Sequence, residues 1–589
     1  MDIVSNAPRP DGPAPQVGDV EPYQTLDYDV LVIGAGGAGL RAAIEAASAG
    51  VRVAVVSKSL LGKAHTVMAE GGMAAALANV HPDDSWEVHY GDTMRGGQRI
   101  NQYRMAELHA KEAPDRVYEL ERWGALFDRT PDGRIMQRAF GAHTYNRLCH
   151  VGDRTGLELI RTLQDRAVHA GIDFFMETTM TRLLKDGDRV AGAFGYRRAD
   201  GSFMLFRSKA VVLASGGWGR IYRVTSNSWE STGDGVAMAF EAGAELMDAE
   251  FVQFHPTGMV WPPGVRGILV TEAVRGEGGY LYNSEHKRFM LEYDPKKKEL
   301  SSRDVVARSI YKEVQAGRGS QHGGAYLDIT HRGADYIKRK LPSMHEQFLT
   351  LADVDITKEP MEVAPTVHYA MGGVRVEPET EATTIPGLFA AGEVAAGLHG
   401  SNRLGGNSLT DLLVFGRRAG MAAAQFVQSH AESLRIDETD IALEQDLLLR
   451  PLRRGEGENP YAVHEALQNI MAEQVGIKRD EDGLRQGLSS IQELRVRSMN
   501  IGVRGDRIFN PGWHMARDDI FMLTVAEAIT RAAIERRESR GAHWRIDFPE
   551  QDSELGRVNF VVRKRGDGME VEPVPTPQPG VQLRELLNV

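Results

Sequence analysis

A glycine-rich turn between an apolar strand and a helix constrains the fold of this chain more than any other feature. Residues 27–33 are mostly apolar, as in a buried parallel strand, and lead directly into Gly34-Ala35-Gly36-Gly37-Ala38-Gly39. A helix is predicted over residues 40–49. In a G-x-G-x-x-G turn, the glycines permit the tight turn, the approach of a pyrophosphate and close helix–strand packing, and the helix start offers free N–H groups. The sequence therefore predicts an α/β, Rossmann-like domain that binds a dinucleotide.

The rest of the strand pattern favours FAD over NAD. The second predicted strand, over residues 51–57, ends in Ser57-Lys58, where many NAD sites carry an acidic residue for the ribose. Two further strand-and-glycine segments lie at residues 210–217 and 387–393. A domain that the chain leaves and re-enters suits FAD, which lies extended across more of the protein. We expect a discontinuous FAD-binding domain formed by residues 27–258 and 366–430.

A histidine lies about one βαβ unit after the glycine turn, where the reactive ring of a dinucleotide is expected. It is His65, in the run His65-Thr66-Val67-Met68-Ala69-Glu70-Gly71-Gly72. The paired glycines allow the backbone to approach a flat ring closely. The run therefore predicts a flavin held by the backbone, with His65 as the candidate for a covalent bond to it.

Composition excludes several classes of protein. The chain has 589 residues, enough for three or four domains at about 150 residues each, and its net charge of −12 argues against a nucleic-acid partner. No apolar run approaches the roughly 20 residues that span a bilayer. Cys149 is the only cysteine, so this chain alone cannot hold an iron–sulfur cluster, and no His or Cys pattern indicates a metal site. A packed thiol is favoured over a catalytic one.

The remaining segments predict further domains. Residues 1–26 are rich in Pro, Asp and Gly, which predicts a disordered tail and excludes a secretory signal. An α+β capping domain is predicted over residues 259–365, including a helix over 301–315. A helical domain is predicted over 431–545, with helices over 461–473 and 519–536. The C-terminal segment, 546–589, includes a possible β-ribbon over 557–571 that turns at Gly566-Asp567-Gly568.

Five mostly glycine-flanked segments supply cationic or hydrogen-bonding side chains. Their candidate residues are His255, Thr271, Glu272, Arg275, Arg303, His368 and Arg403. Arg, His and Thr donors suit a small dianionic carboxylic acid, because Arg can bind a carboxylate through two parallel hydrogen bonds. Taken singly, a His is more often a packed core residue and an Arg more often a surface ion pair. The co-occurrence of all five segments favours the binding site.

These motifs together resemble those of the flavoprotein subunit of the succinate dehydrogenase and fumarate reductase family. The resemblance extends from Asp27 to about Asp547. The motifs that carry it are His-Thr-Val followed by Glu-Gly-Gly, Gln-Phe-His-Pro-Thr-Gly, Thr-Glu-x-x-Arg-Gly-Glu-Gly-Gly, Ser-Arg-Asp-Val-Val, His-Tyr-x-Met-Gly-Gly, His-Gly-x-Asn-Arg-Leu-Gly-Gly-Asn-Ser-Leu and Glu-Ser-Arg-Gly-Ala-His.

The resemblance implies a role for each matching residue. It implies that His65 bonds covalently to the flavin, and that Arg303 exchanges a proton with the substrate through a relay of Glu272 and Arg275. The implied substrate-binding residues are His255, Thr271, His368 and Arg403. The implied cofactor-binding residues are Gly34, Ala35, Gly36, Gly37, Ala38, Gly39, Ser57, Lys58, His65, Thr66, Gly71, Gly72, Asp234, Glu393, Asn407, Ser408 and Leu409.

The implied activity is the interconversion of succinate and fumarate, by hydride transfer to or from N5 of the flavin. Electrons would pass to an iron–sulfur subunit, then to a quinone at a membrane-anchor subunit, on the cytoplasmic face of a prokaryotic membrane. One alternative is an enzyme similar to L-aspartate oxidase, whose flavin is not covalent and which lacks the histidine matching His65. The other alternative is a non-catalytic assembly subunit that kept the fold, against which the intact Arg303, His255, His368 and Arg403 argue.

Overall fold

Strands and helices alternate through the first half of the chain, and helices dominate the second half. The structure is a computed structural model that describes residues 20–430 and 432–587. Its strands are β1 (Tyr23–Ile33), β2 (Val53–Val56), β3 (Met73–Ala74), β4 (Gln137–Arg138), β5 (Leu148–Cys149), β6 (Asp173–Phe175), β7 (Thr178–Asp186), β8 (Arg189–Arg197), β9 (Phe203–Leu213), β10 (Leu246–Met247), β11 (Val252–Met259), β12 (Tyr280–Tyr282), β13 (Ala325–Asp328), β14 (Met361–Ala370), β15 (Gly373–Val374), β16 (Leu388–Ala390), β17 (Val558–Arg565) and β18 (Gly568–Pro575). Its α-helices are α1 (Gly37–Ser48), α2 (Trp86–Gly96), α3 (Tyr103–Arg122), α4 (Thr155–His169), α5 (Asp234–Ala242), α6 (Ala273–Gly276), α7 (Met290–Tyr293), α8 (Arg303–Gln315), α9 (Ala334–Lys340), α10 (Pro342–Ala352), α11 (Asn407–Ser429), α12 (Glu438–Arg454), α13 (Pro460–Gln474), α14 (Glu481–Ser498), α15 (Pro511–Glu535) and α16 (Val581–Glu585).

A seven-stranded sheet forms the centre of the described chain. Strands β6, β2, β1, β9 and β16 run parallel, and β8 and β7 extend the sheet from β9 as antiparallel strands. The end of β1 is fully apolar and buried, as expected of a parallel strand covered on both faces. Strand β16 joins this sheet more than 170 residues after β9. The predicted α/β fold with a re-entrant strand is therefore confirmed.

The first strand begins earlier than the sequence predicts. Residues 1–19 of the predicted disordered tail lie outside the described residues, but Tyr23 to Leu26 belong to β1 and pair in register with Phe203 to Phe206 of β9. These four residues are exposed or only partly buried. Backbone pairing with a long neighbouring strand, rather than an apolar run, extends β1 at this end, so the prediction of a disordered segment up to residue 26 is wrong for residues 23–26.

The inserted segment forms a second sheet, in the order β11-β14-β13-β12, with α8 packed against it. It has a separate apolar core, which includes Met259, Leu281, Leu327 and Val363. The predicted boundaries at residues 258/259 and 365/366 fall inside β11 and β14. These two long strands run from the FAD-binding region into the cap, and the predicted site residues His255 and His368 lie on them.

Helices α12 to α15 form the helical part, and α15 is buried along most of its length. The predicted C-terminal ribbon is present as β17 and β18, joined by a turn at residues 566–567, and β17 also pairs with β10. Across residues 20–430 and 432–587, no helix combines the length and the apolar character needed to cross a bilayer.

Candidate active site

A cavity of about 400 Å³ lies at the carboxyl ends of the parallel strands, where open α/β sheets bind ligands. It begins at the glycine turn after β1 and extends past β2 and β9 to the start of α11. Most of the predicted cofactor-binding residues line it, namely Gly34, Ala35, Gly36, Gly37, Ala38, Ser57, Lys58, His65, Thr66, Asp234, Glu393, Ser408 and Leu409.

The glycine turn leaves space and free N–H groups for a pyrophosphate. Gly34 has φ +117°, and a Cβ on it would collide with the carbonyl group of Ala214. Helix α1 begins at Gly37 without a side-chain cap, so its first N–H groups point to the cavity with few protein partners. Gly39 lies behind the turn, where a Cβ would collide with the Gly34 carbonyl group. These positions suit the phosphates of a dinucleotide such as FAD.

A buried lysine lies beside the cavity. Lys58 forms ion pairs with Asp234 at 3.3 Å and with Asp518 of α15 at 2.8 Å. Burial opposes its charge, but the two carboxylates raise its pKa overall. Because burial also raises the pKa of Asp234, the pair depends on close contact to remain charged.

His65 begins a short 3₁₀-helix, His65–Met68, on the cavity wall. Its Nε2 atom lies 3.3 Å from Nδ2 of Asn227, and its Nδ1 atom accepts a hydrogen bond from the Ser228 N–H group at 3.4 Å. Burial lowers the pKa of His65 to about 4, so the ring is neutral at physiological pH. The next residue, Thr66, accepts a hydrogen bond from the Gly37 N–H group at 3.3 Å and ties this helix to the glycine turn.

Three other predicted cofactor-binding residues face protein instead of the cavity. A Cβ on Gly71 would meet the Phe140 ring at 2.7 Å, and one on Gly72 would meet the Cys149 carbonyl oxygen at 2.8 Å. The side chain of Asn407 bonds to His89 and Thr93. The paired glycines therefore allow close packing between protein segments. The sequence had instead predicted that they let the backbone approach the flavin ring.

Two arginines meet beyond the end of the cavity and share one acceptor. The side-chain oxygen of Gln253 accepts from Nη1 of Arg303 at 3.1 Å and from Nη2 of Arg403 at 3.0 Å. Arg303 is the first residue of α8, and Arg403 lies four residues before α11. Arg403 also donates to the Ser408 hydroxyl at 2.8 Å, and Ser408 lines the cavity. This bond connects the arginine pair to the cavity.

Glu272 lies between two arginines. Its Oε2 atom accepts from Nε of Arg303 at 2.9 Å and lies 3.7 Å from Nη2 of Arg275. Its Oε1 atom accepts from the Gly141 N–H group at 2.7 Å. Burial favours the neutral carboxyl group, but the arginines and this N–H group lower its pKa overall. The result is a continuous Arg–carboxylate–Arg chain inside the cap.

Two histidines complete the cluster. The rings of His255 on β11 and His368 on β14 have centroids 5.2 Å apart, and His368 lines the cavity. Burial, and then the neighbouring cations, hold the pKa of His255 well below its usual value, and burial does the same for His368. Both rings are therefore neutral hydrogen-bonding groups. Thr271 is buried next to Glu272, and its hydroxyl accepts from the Ala273 N–H group at 3.3 Å.

The arginine cluster has an unusual electrostatic state. Burial, with Arg303 close by, lowers the pKa of Arg403 to about 9. Burial also lowers the pKa of Arg275. Within the described residues, the Nε group of Arg403 is buried without a hydrogen-bond partner. A bound dianion would supply the negative charge and the acceptors that these groups lack.

Sequence reasoning did not assign Gln253, Tyr369 or Asn227 to the site. Gln253 bridges the arginines, Tyr369 lines the cavity beneath Arg403, and Asn227 contacts His65. Gln253 and Tyr369 adjoin or nearly adjoin His255 and His368 in the sequence, but their uncharged side chains give no local signal of a role in binding. Asn227 lies in a polar loop without a local signal.

Comparisons with known proteins match this chain to known domains along most of its length. Residues 29–409 match the family model described as FAD binding domain, and residues 464–582 match the one described as Fumarate reductase flavoprotein C-term. One chain of the fumarate reductase (CoM/CoB) of Methanothermobacter marburgensis is 47% identical over 92% of this chain and 98% of its own length. The succinate dehydrogenase flavoprotein subunit of Coxiella burnetii is 41% identical over 89% of this chain and 92% of its own. The structure of Mycobacterium smegmatis Sdh1 in complex with UQ1 has 56% identity and a TM-score of 0.86, and each chain covers 95% of the other.

The fold and the cavity define an FAD-dependent oxidoreductase. The matched domains cover most of the chain, and the relatives align along nearly their whole length. The chain belongs to the succinate dehydrogenase and fumarate reductase flavoprotein family.

Proposed function

We propose that this chain is the flavoprotein subunit of a succinate:quinone oxidoreductase that interconverts succinate and fumarate. The observation that carries the proposal is the cluster of Arg303, Arg403, His255 and His368 at the end of a cavity that starts at a phosphate-binding turn. Two cations and two neutral donors in a buried space complement a short dicarboxylate.

The substrate carboxylates are bound by side chains from the cap and from the FAD-binding region. Arg403 binds one carboxylate through two hydrogen bonds, while His368, His255 and Thr271 supply single, directed ones. His255 lies on β11 and His368 on β14, while Thr271 and Arg403 lie in the segments that lead into α6 and α11, so strands and helices fix their relative positions. Fixed positions of this kind hold the reacting C–H bond in one orientation, which accounts for a large share of catalysis.

Arg303 holds the proton that is exchanged at the substrate carbon. Its Nε group is bonded to Glu272, and Arg275 contacts the same carboxylate atom. A proton can therefore move along Arg303, Glu272 and Arg275 without a rearrangement of the backbone.

The residues of the cavity fit FAD. The glycine turn and the start of α1 suit its pyrophosphate, and the cavity wall from His65 to Ser408 leads to the substrate cluster. When bound, FAD supplies the acceptor or donor of a hydride at N5. We also propose that the neutral ring of His65 is the site of covalent attachment, because it lies on this wall and is oriented by Asn227 next to its Nε2 atom and by Ser228 next to its Nδ1 atom.

Electrons leave through another protein chain in this proposal. Cys149 is the only cysteine in the sequence and is fully buried, so the chain does not hold an iron–sulfur cluster by itself. A membrane anchor, a quinone and an iron–sulfur subunit complete the path, on the cytoplasmic face of the membrane. The UQ1 complex of the M. smegmatis relative supports a quinone as the final partner.

The test uses the purified, FAD-loaded protein under anaerobic conditions. Succinate should bleach the flavin absorbance, and fumarate should restore it. L-Aspartate and L-malate serve as matched alternative substrates. Bleaching by aspartate with no response to succinate would favour the enzyme class similar to L-aspartate oxidase, and no response to any of them would exclude an active dehydrogenase.

A further inference from the structure

We propose that Tyr369 is a positioning residue for Arg403, and that its ring face stabilises the buried guanidinium while His399 and Asp411 fix the ring. The inference rests on the proposed function, since it assigns the ring a role in dicarboxylate binding. Tyr369 follows His368 on β14, and it lines the cofactor cavity.

The guanidinium of Arg403 lies directly over this ring. Its Cζ atom is 4.3 Å from the ring centroid, and the two residues are 3% and 7% exposed. A cation over an aromatic face is most strongly stabilised when both are removed from water. The close approach inside the protein therefore gives the contact more weight than it would have at the surface.

Arg403 needs such a partner because no carboxylate in the described ranges forms an ion pair with it. Its hydrogen bonds go to neutral oxygens of Ser408, Gln253 and Leu404, and its Nε group is buried without a partner. Arg303, by contrast, is paired with Glu272. The ring face therefore lies against a guanidinium that no carboxylate of the described residues contacts directly.

Two further residues fix the plane of the ring. The Tyr369 hydroxyl lies 3.2 Å from Nε2 of His399 and donates to Oδ2 of Asp411 at 3.3 Å. Asp411 belongs to α11, whose first turn lines the cavity, and His399 lies four residues before Arg403. The hydroxyl therefore anchors the ring to the same segment that carries the arginine.

The charged groups around Arg403 act in opposite directions. Burial and Arg303 lower its pKa, while Tyr369, Glu393 and Glu272 raise it, and the result is about 9. His255 and His368, on the strands packed against it, have lowered pKa values and are neutral. The aromatic face favours the charged guanidinium 4.3 Å above it, so loss of this contact would lower the pKa of Arg403 further, and dicarboxylate binding would fail at a lower pH.

The experiment measures the binding of malonate, a non-reacting dicarboxylate, to the FAD-loaded protein through its effect on the flavin spectrum between pH 7 and 10. Tyr369→Phe keeps the ring and should bind within about threefold of wild type. Tyr369→Leu removes the ring and should bind about tenfold more weakly, as expected for loss of a desolvated cation–π contact. As the pH is raised, Tyr369→Leu should also lose malonate binding at a lower pH than wild type does.

Tyr196 provides the matched control. It is 1% exposed, its hydroxyl lies 3.0 Å from Nδ1 of His514, and it does not line the cavity. Tyr196→Phe and Tyr196→Leu should bind malonate as wild type does, with an unchanged pH profile. Flavin content is measured for every variant, so that loss of cofactor is separated from loss of malonate binding.

The outcomes are distinct. Equal binding by Tyr369→Leu and wild type would overturn the inference and leave the proposed function intact. If Tyr369→Phe binds malonate tenfold more weakly than wild type, the inference is also overturned, because the ring face alone would then not stabilise Arg403. This test holds even if Tyr369→Leu does not fold. Failure of wild type to bind malonate would overturn the proposed function itself.

Discussion

Two guanidinium groups share the side-chain oxygen of Gln253, and this arrangement determines what single substitutions do. Arg303 and Arg403 repel each other, and Gln253 and Glu272 hold them in place. A substitution of either arginine therefore changes both its own function and the charge state of its neighbour.

Replacement of Arg303 should remove turnover and retain the flavin. Arg303→Lys keeps a cation but loses the planar fork that bonds to Glu272 and Gln253 at the same time, and proton transfer of this kind contributes about 10²–10⁴-fold to a rate. We expect succinate oxidation to fall by that order, with normal FAD absorbance. Arg308→Lys, on the same helix and bonded to Asp304, is the control. Near-normal turnover in Arg303→Lys would remove this residue from the mechanism.

The pKa of Arg403, about 9, predicts an alkaline limit to substrate binding. The side chain is cationic below this value and neutral above it. KM for succinate should therefore change little between pH 7 and 8 and rise steeply above about pH 9 as the cation is lost. Initial rates across this range provide the measurement. A KM that stays flat to about pH 10.5, well above that pKa, would show that Arg403 keeps its charge or does not bind the carboxylate.

Substitution of His65 should convert a retained flavin into a releasable one. After acid denaturation, the yellow colour should remain with the wild-type chain and pass into solution from His65→Ser. His81→Ser is a suitable control, because His81 packs against Tyr145 outside the cavity lining. Release of all flavin from the denatured wild-type protein would contradict covalent attachment.

At the scale of elements, the C-terminal ribbon is joined to the core through Asn559. Its amide donates to Oδ2 of Asp248 at 2.6 Å and to the Ile100 carbonyl group at 2.9 Å, and the side chain is buried. Asp248 itself has φ +55°, and burial raises its pKa to about 7. The Asn559 amide group thus connects the ribbon to Ile100 and Asp248, which lie 459 and 311 positions away in the sequence.

Asn559→Leu should destabilise the protein by about 1–3 kcal/mol, because it leaves two buried acceptors without their donor. Denaturant unfolding followed by far-UV circular dichroism measures the change. Glu570→Ala, an exposed substitution on the same ribbon, should change stability by less than about 0.5 kcal/mol. An equal effect of the two substitutions would show that the ribbon does not depend on this contact.

Helices and strands could be predicted from the sequence where a local residue pattern determines them. The strand–glycine turn–helix unit and the ribbon that turns at Gly566 follow from short sequences with strong conformational preferences. The start of β1 at Tyr23 was not predictable, because pairing with β9 fixes it and the residues have no apolar pattern. The partners of Gly71 and the Tyr369–His399–Asp411 contacts likewise depend on tertiary packing between distant segments.

For the protein as a whole, the single cysteine of the sequence cannot hold the iron–sulfur cluster that we propose to carry electrons from the flavin to a quinone. The isolated, FAD-loaded chain should reduce a soluble artificial acceptor such as ferricyanide with succinate, and should not reduce a quinone. Addition of the proposed iron–sulfur and anchor subunits should restore quinone reduction. Rates with both acceptors, with malonate as the inhibited control, provide the measurement. Rapid quinone reduction by the chain alone would contradict the proposed partners.

The cofactor cavity takes its walls from residues near both ends of a long stretch, from Ile33 at one side to Leu412 at the other. During synthesis, the phosphate-binding turn leaves the ribosome long before the helix that closes the cavity. At about 5–20 residues per second, this delay is on the order of tens of seconds. The complete cavity cannot form before Leu412 has been synthesised, so we expect stable flavin binding only after α11 has left the ribosome.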